Sequence, residues 1–197
     1  REMRYEWFHE ICKQNKIDYI VTAHHRNDQV ETFFINLARG TGIEGLTGMK
    51  LTDGKLFRPL LGFSKADLEQ YAQLHHLKWR EDESNNQTKY QRNKIRLEII
   101  PKLEEINPNF ISTAADCMDR LYAVNIIYKE FTEEKRKQYV VKNEFGYEIE
   151  LQQLKKEKIA QQLLFEFLKP WGFNSKTVKD IFEERKKESG KKFFSPS

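Results

Sequence analysis

The sequence predicts an α/β unit over residues 1–108 and a mostly helical second region over residues 109–197. The α/β unit is indicated by a short apolar run, residues 17–22, that stands between two stretches whose apolar residues recur at helical spacing. In the second region, apolar residues keep helical spacing over long stretches. Asn107-Pro108 is a turn signal between the two, so we place the boundary there.

Composition restricts the class of protein. A chain of 197 residues is long enough to bury a core, and a net charge of +4 is compatible with RNA contact without arguing for it. Cys12 and Cys117 are isolated, which fits a reducing compartment and argues against a disulfide framework. No apolar run reaches membrane-spanning length and no signal peptide is visible, so we expect a cytoplasmic protein with no membrane partner.

The elements of the first unit follow from spacing and capping signals. A helical pattern over residues 2–15 precedes the short strand at 17–22. Gly40 is the expected residue after the second helix, residues 56–61 are strand-like, and Ser64 is predicted to cap a third helix. The second helix is predicted to begin at Asn27 or Asp28 and to bury an apolar stripe, namely Val30, Phe33, Phe34 and Leu37.

In the second region, a helical stripe runs from Phe110 to about Arg136. A short strand is predicted near residues 147–151 and a helix over 154–168, which Pro170-Trp171-Gly172 interrupts. Ser175 is expected to cap a last helix. The aromatic residues of this region are expected to form core and not a platform for nucleotides.

The junction of the first strand and the second helix carries the most chemistry. His24 and His25 end the strand, and at roughly 100° per residue Asp28 and Glu31 should fall opposite the apolar stripe of the helix. Ligands bind at the carboxyl ends of strands in open α/β sheets, so we interpret the junction as an active-site wall. The alternative is that Asp28-x-x-Glu31 is a capping box, although capping does not require two imidazoles. No H-x-x-x-H or cysteine spacing indicates a metal site.

A basic stretch later in the chain is the second candidate for function. Its residues stack on one helix face at i, i+3, i+4 and i+7: Lys89, Arg92, Asn93 and Arg96. Cations so placed repel one another, and a polyanion or a carboxylate partner would relieve that repulsion. Arginine suits phosphate because its planar fork bonds two oxygens at once. The alternative is a solvated basic surface. Pro101 should kink or end this helix.

Five stretches of the sequence form a set: His24-His25-Arg26-Asn27-Asp28-Gln29-Val30-Glu31-Thr32, Arg39-Gly40-Thr41-Gly42, Arg58-Pro59-Leu60-Leu61, Asp82-x-Ser84-Asn85 and Arg92-Asn93-x-Ile95-Arg96. In order and spacing the set resembles tRNA(Ile)-lysidine synthetases, which belong to the N-type ATP pyrophosphatase (PP-loop) superfamily. It covers roughly residues 1–108. The family motif usually reads H-H-x-D-D-Q-x-E-T, so Asn27 departs from it at one acidic position.

The resemblance implies a parallel-sheet PP-loop domain of the adenine nucleotide alpha hydrolase type, followed by a helical region that contacts tRNA. The superfamily's phosphate loop, S-G-G-x-D-S, is absent from the sequence and is expected on the N-terminal side of Arg1. We therefore expect a piece of a longer enzyme, inactive by itself, that also lacks a C-terminal domain. Ligands for Mg²⁺ are expected from the absent loop, with no metal ligand in this chain.

The reaction of the family uses ATP and Mg²⁺ to adenylate O2 of the wobble cytidine in the CAU anticodon of tRNA(Ile). The amine of free L-lysine then attacks C2 and expels AMP. By resemblance, Asp28 and Glu31 are expected to bind lysine and to act in catalysis, and Arg4 and Arg96 are expected to have further catalytic roles. The residues expected to bind ATP are His24, His25, Arg39, Gly40, Thr41 and Gly42. The residues expected to bind tRNA are Lys89, Arg92, Asn93 and Arg96. From the residues alone, Arg4 is a solvated surface arginine and the glycine segment is a structural turn.

Other functions stay open. A tRNA thiolase of the same superfamily would share the adenylation step, but it usually requires cysteine motifs that the isolated Cys12 and Cys117 do not supply. A non-enzymatic RNA-binding module would explain the basic helix, but not the histidines and carboxylates of residues 24–31. A purely structural or partner-binding fragment is a third alternative. The sequence does not determine the oligomeric state, and a homodimer is one option.

Overall fold

The computed structural model describes residues 2–80 and 91–183 of the chain, without the side chains of Glu2, Arg4 and Tyr5. The chain divides into two compact units, Arg1–Asn125 and Ile126–Ser197. Within the described residues, no helix is both long enough and apolar enough to cross a membrane.

Helices dominate the first unit, and the strands are short. The helices are α1 (Glu2–Gln14), α2 (Arg26–Ala38), α3 (Lys65–Leu74), α4 (Gln91–Lys94), α5 (Ile100–Ile106) and the first part of α6 (Phe110–Tyr139). A 3₁₀ turn covers Ile43–Leu46 and a π-helical segment covers Ile95–Ile99. The strands are β1 (Ile20–Val21), β2 (Thr52–Asp53) and β3 (Leu56–Phe57). This mixture agrees with the predicted α/β class.

The three strands form one small sheet in the order β1-β3-β2. β1 and β3 pair in parallel, with Ile20 opposite Leu56 and Val21 opposite Phe57. β2 pairs with β3 in the antiparallel direction. The parallel pair therefore brings the residues that follow β1 and the residues that follow β3 to the same edge of the sheet.

Both parallel strands are shorter than the sequence predicts. Ahead of β1, the N–H of Ile17 donates to the carbonyl of Cys12 at 2.9 Å, so it satisfies a carbonyl group at the C-terminal end of α1. After β3, Pro59 has no N–H for a ladder and the chain turns, with the N–H of Leu61 donating to the carbonyl of Arg58 at 3.3 Å. Local hydrogen bonds thus replace strand pairing on both sides.

A hydrophobic core joins α2 to the helices that follow it in the chain. Its buried residues are Val30, Ile95, Ile100, Ile111 and Met118, and Phe33 and Phe34 pack against them. Burying each such side chain contributes on the order of 2 kcal/mol. Leu37, which the spacing places in the same stripe, is half exposed because α2 continues past this core. The core thus holds residues 95–100 beside α2.

The helix that carries the predicted basic face contains a change of register. α4 passes into the π-helical segment Ile95–Ile99 and then into α5. Pro101 lies in the first turn of α5, which continues to Ile106, so the helix does not end at the proline. Proline cannot donate to the carbonyl four residues earlier, and the wider π turn just ahead of Pro101 accommodates that missing bond. The predicted kink stays a prediction.

The second unit contains the end of α6, a hairpin and short helices. The hairpin pairs β4 (Val140–Asn143) with β5 (Gly146–Ile149) in the antiparallel direction. α7 (Leu151–Leu154), α8 (Ala160–Leu168), a 3₁₀ turn (Lys169–Trp171) and α9 (Ser175–Glu183) follow. The buried core is Tyr139, Leu154, Ala160, Leu163, Leu164, Phe167 and Val178. The cap of α9 is Asn174 and not the expected Ser175, because Asn174 Oδ1 accepts from the N–H of Thr177 at 2.9 Å.

Candidate active site

The first turn of α2 is fixed by a reciprocal arrangement with the residues before it. His25 is the N-cap residue, with extended backbone at φ −120° and ψ 179°. Asp28 Oδ2 accepts a hydrogen bond from the N–H of His25 at 3.0 Å. The capping interpretation is therefore correct for Asp28, but His25 takes the cap position and Glu31 does not take part. The helix begins at Arg26, one or two residues before the predicted start at Asn27 or Asp28.

The expectation that Glu31 lies on an open side of α2 is wrong, because only 1% of its surface is exposed. Arg96 Nε donates to Glu31 Oε1 at 2.6 Å, and Arg96 Nη2 donates to Glu31 Oε2 at 3.1 Å. Arg92 Nε lies 3.2 Å from the same Oε2, without hydrogen-bond geometry. Residues 91–99 cover this side of the helix, so α2 is buried on two sides. Two arginines offset the cost of burying the carboxylate.

Asp28 extends this cluster towards solvent. Its Oδ1 lies 3.7 Å from Arg96 Nη2, and 14% of the Asp28 side chain is exposed. The pKa of Arg96 is raised, first by its hydrogen bonds to Glu31, then by the charges of Glu31 and Asp28, against the opposing effect of burial. Arg96 is thus a permanent cation. We call Asp28, Glu31, Arg92 and Arg96 the α2 ion-pair network; its formal charges sum to zero.

The α2 ion-pair network accounts for two of the three cations of the predicted basic face. Arg92 and Arg96 converge on one carboxylate, which relieves the repulsion that their spacing implies. Arg92 Nη2 also donates to Thr32 Oγ1 at 2.8 Å. Asn93 is buried. Lys89 lies outside the described residues, as do the side chain of Arg4 and residues 82–85, so their predicted roles stay predictions.

The two histidines are half-buried at the end of β1. His24 Nδ1 lies 2.9 Å from Thr22 Oγ1, a hydrogen bond that fixes its ring. His25 Nε2 lies 3.5 Å from Asp28 Oδ2. In the described part of the chain, His25 Nδ1 is buried and has no hydrogen-bond partner. A buried, unsatisfied nitrogen is costly, so a bound group that bonds it would be stabilised there.

The segment Arg39 to Gly42 leaves the C-terminus of α2 as a largely exposed loop. Gly40 has φ +71°, the left-handed conformation expected after a helix. Arg39 Nη2 reaches Gln91 Oε1 of α4 at 3.5 Å. Further along, a Cβ on Gly45 would lie 2.1 Å from Thr41 Oγ1, so the loop is too tight there for any side chain. Its predicted contact with ATP stays a prediction.

Sequence reasoning missed the role of Asn27. Asn27 Oδ1 accepts a hydrogen bond at 2.9 Å from the N–H of Lys65, the first residue of α3. The N–H of Arg26 donates to the carbonyl of Phe63 at 2.8 Å beside it. Together these bonds tie the start of α3 to the start of α2. The family motif has an acidic residue at this position, and an amide oxygen can accept the same hydrogen bond as a carboxylate oxygen. The departure of Asn27 from the motif was therefore the available signal that this position has such a role.

Among the described residues, no group of three or more histidine, cysteine, aspartate or glutamate side chains is arranged to hold a metal ion. Asp28 and Glu31 are both next to arginine, and a cation bound between the two carboxylates would have to displace Arg96 from Glu31. The arrangement therefore favours contact with anionic groups through the exposed part of Arg96.

Comparisons with known proteins agree with the motifs. The model of the PP-loop domain matches residues 1–103, and the model of the TilS substrate binding domain matches residues 142–197. A tRNA(Ile)-lysidine synthase from Bacteroides thetaiotaomicron is 36% identical over 99% of this chain and 45% of its own length. The enzyme of the same name from Parabacteroides distasonis is 37% identical over 99% of this chain and 44% of its own length.

A third tRNA(Ile)-lysidine synthase, from Porphyromonas gingivalis, is 35% identical over the whole chain and 43% of its own length. The chain thus spans less than half the length of these curated relatives. The resemblance drawn from the motifs is confirmed. Because the PP-loop domain model matches more than half of it, the chain belongs to the PP-loop family.

Proposed function

We propose that this protein ligates L-lysine to C2 of the wobble cytidine in the CAU anticodon of tRNA(Ile), using ATP through an adenylated tRNA intermediate. The observation that supports the proposal most is the convergence of two distant motifs. Residues 24–32 and 92–96 carry the resemblance to lysidine synthetases, and they meet in the α2 ion-pair network. The relatives that match the chain over its whole length have this activity in their names.

Arg96 is the residue of the network that is best placed to meet a substrate. Its side chain is 32% exposed, whereas the Glu31 side chain that holds it is 1% exposed. A guanidinium is planar and permanently charged, so the exposed part of Arg96 suits the phosphate oxygens of ATP or tRNA. We assign it to stabilise negative charge on the reacting phosphate, with Arg92 beside it for tRNA. Asn93 is buried, so the predicted tRNA contact is not assigned to it.

Asp28 is the carboxylate that can take part in proton transfer. Only a neutral amine is nucleophilic, so the lysine ammonium must lose a proton before it attacks C2. The Asp28 side chain is 14% exposed, and the 3.7 Å separation of its Oδ1 from Arg96 Nη2 is longer than a hydrogen bond. Glu31 could meet the ammonium as predicted only if both arginines withdrew. In the arrangement described, it is a positioning residue for Arg96.

The ATP site is assigned to His24, His25 and residues 39–42. The buried, unpartnered Nδ1 of His25 fits a polar group of a bound nucleotide. Mg²⁺, when bound, would supply charge neutralisation on the phosphates. The described residues do not fit as its ligands, since the carboxylates at this junction already face arginine.

The proposal is tested with the complete protein, ATP and a tRNA(Ile) transcript with a CAU anticodon. Labelled lysine should enter the tRNA, nuclease digestion should yield lysidine, and a transcript with a CAC anticodon should not react. Release of pyrophosphate without lysine incorporation, or incorporation of sulfur, would replace the proposal by another modification of the same superfamily.

A further inference from the structure

The chain that follows α2 is rich in glycine. Residues 40–48, which we call the glycine loop, contain four glycines: Gly40, Gly42, Gly45 and Gly48. Glycine loses more conformational freedom on folding than any other residue. A loop of this composition is therefore costly to order, and contacts from outside the loop are needed to hold it in one conformation.

Two amide side chains of α2 supply such contacts. Gln29 and Asn36 are spaced at i and i+7, so they lie on the same face of the helix, two turns apart. Asn36 Nδ2 donates to the carbonyl of Gly45 at 2.8 Å, and Gln29 Nε2 donates to the carbonyl of Met49 at 3.3 Å. We call Gln29 and Asn36 the amide clamp, because they hold the glycine loop at its middle and just after its end.

Further contacts support both members of the amide clamp. The N–H of Thr41 donates to the carbonyl of Asn36 at 3.3 Å, so Asn36 contacts the loop through its backbone as well as its side chain. Gly48 has φ +75°, and a Cβ there would lie 2.9 Å from Gln29 Oε1 and 3.1 Å from Met118 Sδ. Gly48 is thus packed directly against the Gln29 amide, and a side chain at this position would push the loop away from α2.

We propose that the amide clamp positions the glycine loop for ATP, with Gln29 and Asn36 as positioning residues. This role rests on the proposed function, which assigns ATP to residues 39–42 at the start of the loop. A loop that is already ordered loses less entropy when ATP binds, so the clamp raises the affinity for ATP without contacting the nucleotide. Asn36 contributes more than Gln29, because its hydrogen bond is shorter.

Equilibrium dialysis of labelled ATP against the complete protein, without tRNA or lysine, tests this role. Asn36→Leu and Gln29→Met keep side-chain size but remove the amide donors. ATP affinity should weaken about tenfold in Asn36→Leu and about threefold in Gln29→Met. Asn15→Leu is the matched control, because Asn15 Nδ2 also donates to a backbone carbonyl, that of Ile11 in α1, at 3.0 Å. Its ATP affinity should not change.

Gly48→Ala disturbs the same contact from the side of the loop. Its Cβ would displace the Gln29 amide, so ATP affinity should weaken at least about threefold although both clamp residues are present. Limited trypsin digestion without ATP measures the release of the loop in all three variants. Arg39 and Lys50 flank the loop and are exposed, so cleavage at both should be faster than in the unaltered protein.

Steady-state kinetics of lysidine formation separate positioning from a merely structural role. In the clamp variants the KM for ATP should rise, while kcat and the KM for lysine should stay within about twofold. Faster cleavage of the loop with unchanged ATP affinity, or an equal rise in the KM values for ATP and lysine, would overturn the inference. An unaltered protein that binds ATP but forms no lysidine would refute the proposed function, and the dialysis would still test the clamp.

Discussion

The two compact units each contain a short ion pair on a glutamate, and the pairs differ in what they leave exposed. In the second unit, Glu157 Oε1 accepts from Lys135 Nζ at 2.6 Å and from the hydroxyl of Tyr139 at 2.8 Å. In the first unit, Glu31 is held equally closely by Arg96. The side chain of Lys135 is 18% exposed, whereas that of Arg96 is 32% exposed.

The surroundings of the two pairs differ as well. The ammonium of Lys135 lies 5.6 Å from the centre of the Phe131 ring, so this pair closes one end of a hydrophobic core. The α2 ion-pair network lies instead at a helix N-terminus beside two histidines and next to a π-helical segment. A short distance therefore does not mark a functional pair. The exposure of the cation to another molecule is what differs between the two pairs, and variants can separate the two cases.

The largest expected effect on stability comes from Glu31→Gln. The change leaves Arg92 and Arg96 without their carboxylate, and we expect a loss of about 2 kcal/mol in the free energy of unfolding. This value is lower than for a fully buried pair, because both arginine side chains are about one-third exposed. Urea unfolding measures it. Glu157→Gln is the control and should cost less, because the Glu157 side chain is 22% exposed and that of Glu31 is 1% exposed; equal costs would contradict the comparison.

Arg96→Lys should reduce kcat/KM for lysidine formation about thirtyfold with little change in helix content. Lysine keeps the charge but lacks the planar fork by which Arg96 bonds both oxygens of Glu31 at once. The control is Arg136→Lys, because Arg136 donates to the carbonyls of Glu166 and Phe167 and has a structural role. That variant should lose stability and retain turnover. Full activity of Arg96→Lys would return the basic face to the class of solvated surfaces.

Asp28→Asn separates capping from substrate binding. The amide oxygen can still accept from the N–H of His25, so the free energy of unfolding should change by less than about 1 kcal/mol. Loss of the charge should raise the KM for lysine about tenfold and change the KM for ATP much less. Asp28→Ala should lose the capping hydrogen bond from the N–H of His25 in addition to the charge. If Asp28→Asn leaves the lysine KM unaltered, the residue is a cap alone.

The smallest effect is a pH dependence at the second pair. Hydrogen bonds from Lys135 and Tyr139 lower the pKa of Glu157 below its ordinary value. A lowered pKa means that the carboxylate stabilises the fold above its unfolded pKa, and that this stability disappears as pH falls through the folded pKa. Glu157→Gln should therefore reduce the loss of stability between neutral and acidic pH, as urea midpoints will show. An identical acid-side slope in both proteins would contradict the assignment.

Much of the helical framework can be predicted from local patterns. Local patterns place α2 within two residues of its observed start and α6 within three residues of its observed end at Tyr139. The capping box of Ser64 and Asp67 at the start of α3 is also local: Ser64 Oγ accepts from the N–H of Asp67 at 3.1 Å. These features depend on residues that are close together in the sequence, so local sequence patterns are sufficient to predict them.

The site depends on contacts that local patterns do not contain. A helical wheel shows one apolar stripe on α2, but the second face is covered by residues 91–99, about sixty positions later. The burial of Glu31 could therefore not be predicted from α2 alone, although the cations at 92 and 96 indicated a carboxylate partner. The lengths of β1 and β3 could not be predicted either, because the helix end and the turn at Pro59 compete with pairing.

The central claim is that Glu31 acts through Arg96, and a double-mutant cycle tests it most directly. kcat for lysidine formation would be measured at saturating lysine for Glu31→Gln, Arg96→Gln and the double variant of the complete protein. We predict that the double variant is no slower than Arg96→Gln alone, because a positioning residue has no effect once its partner is gone. Rate losses that multiply would show two independent roles and contradict the account.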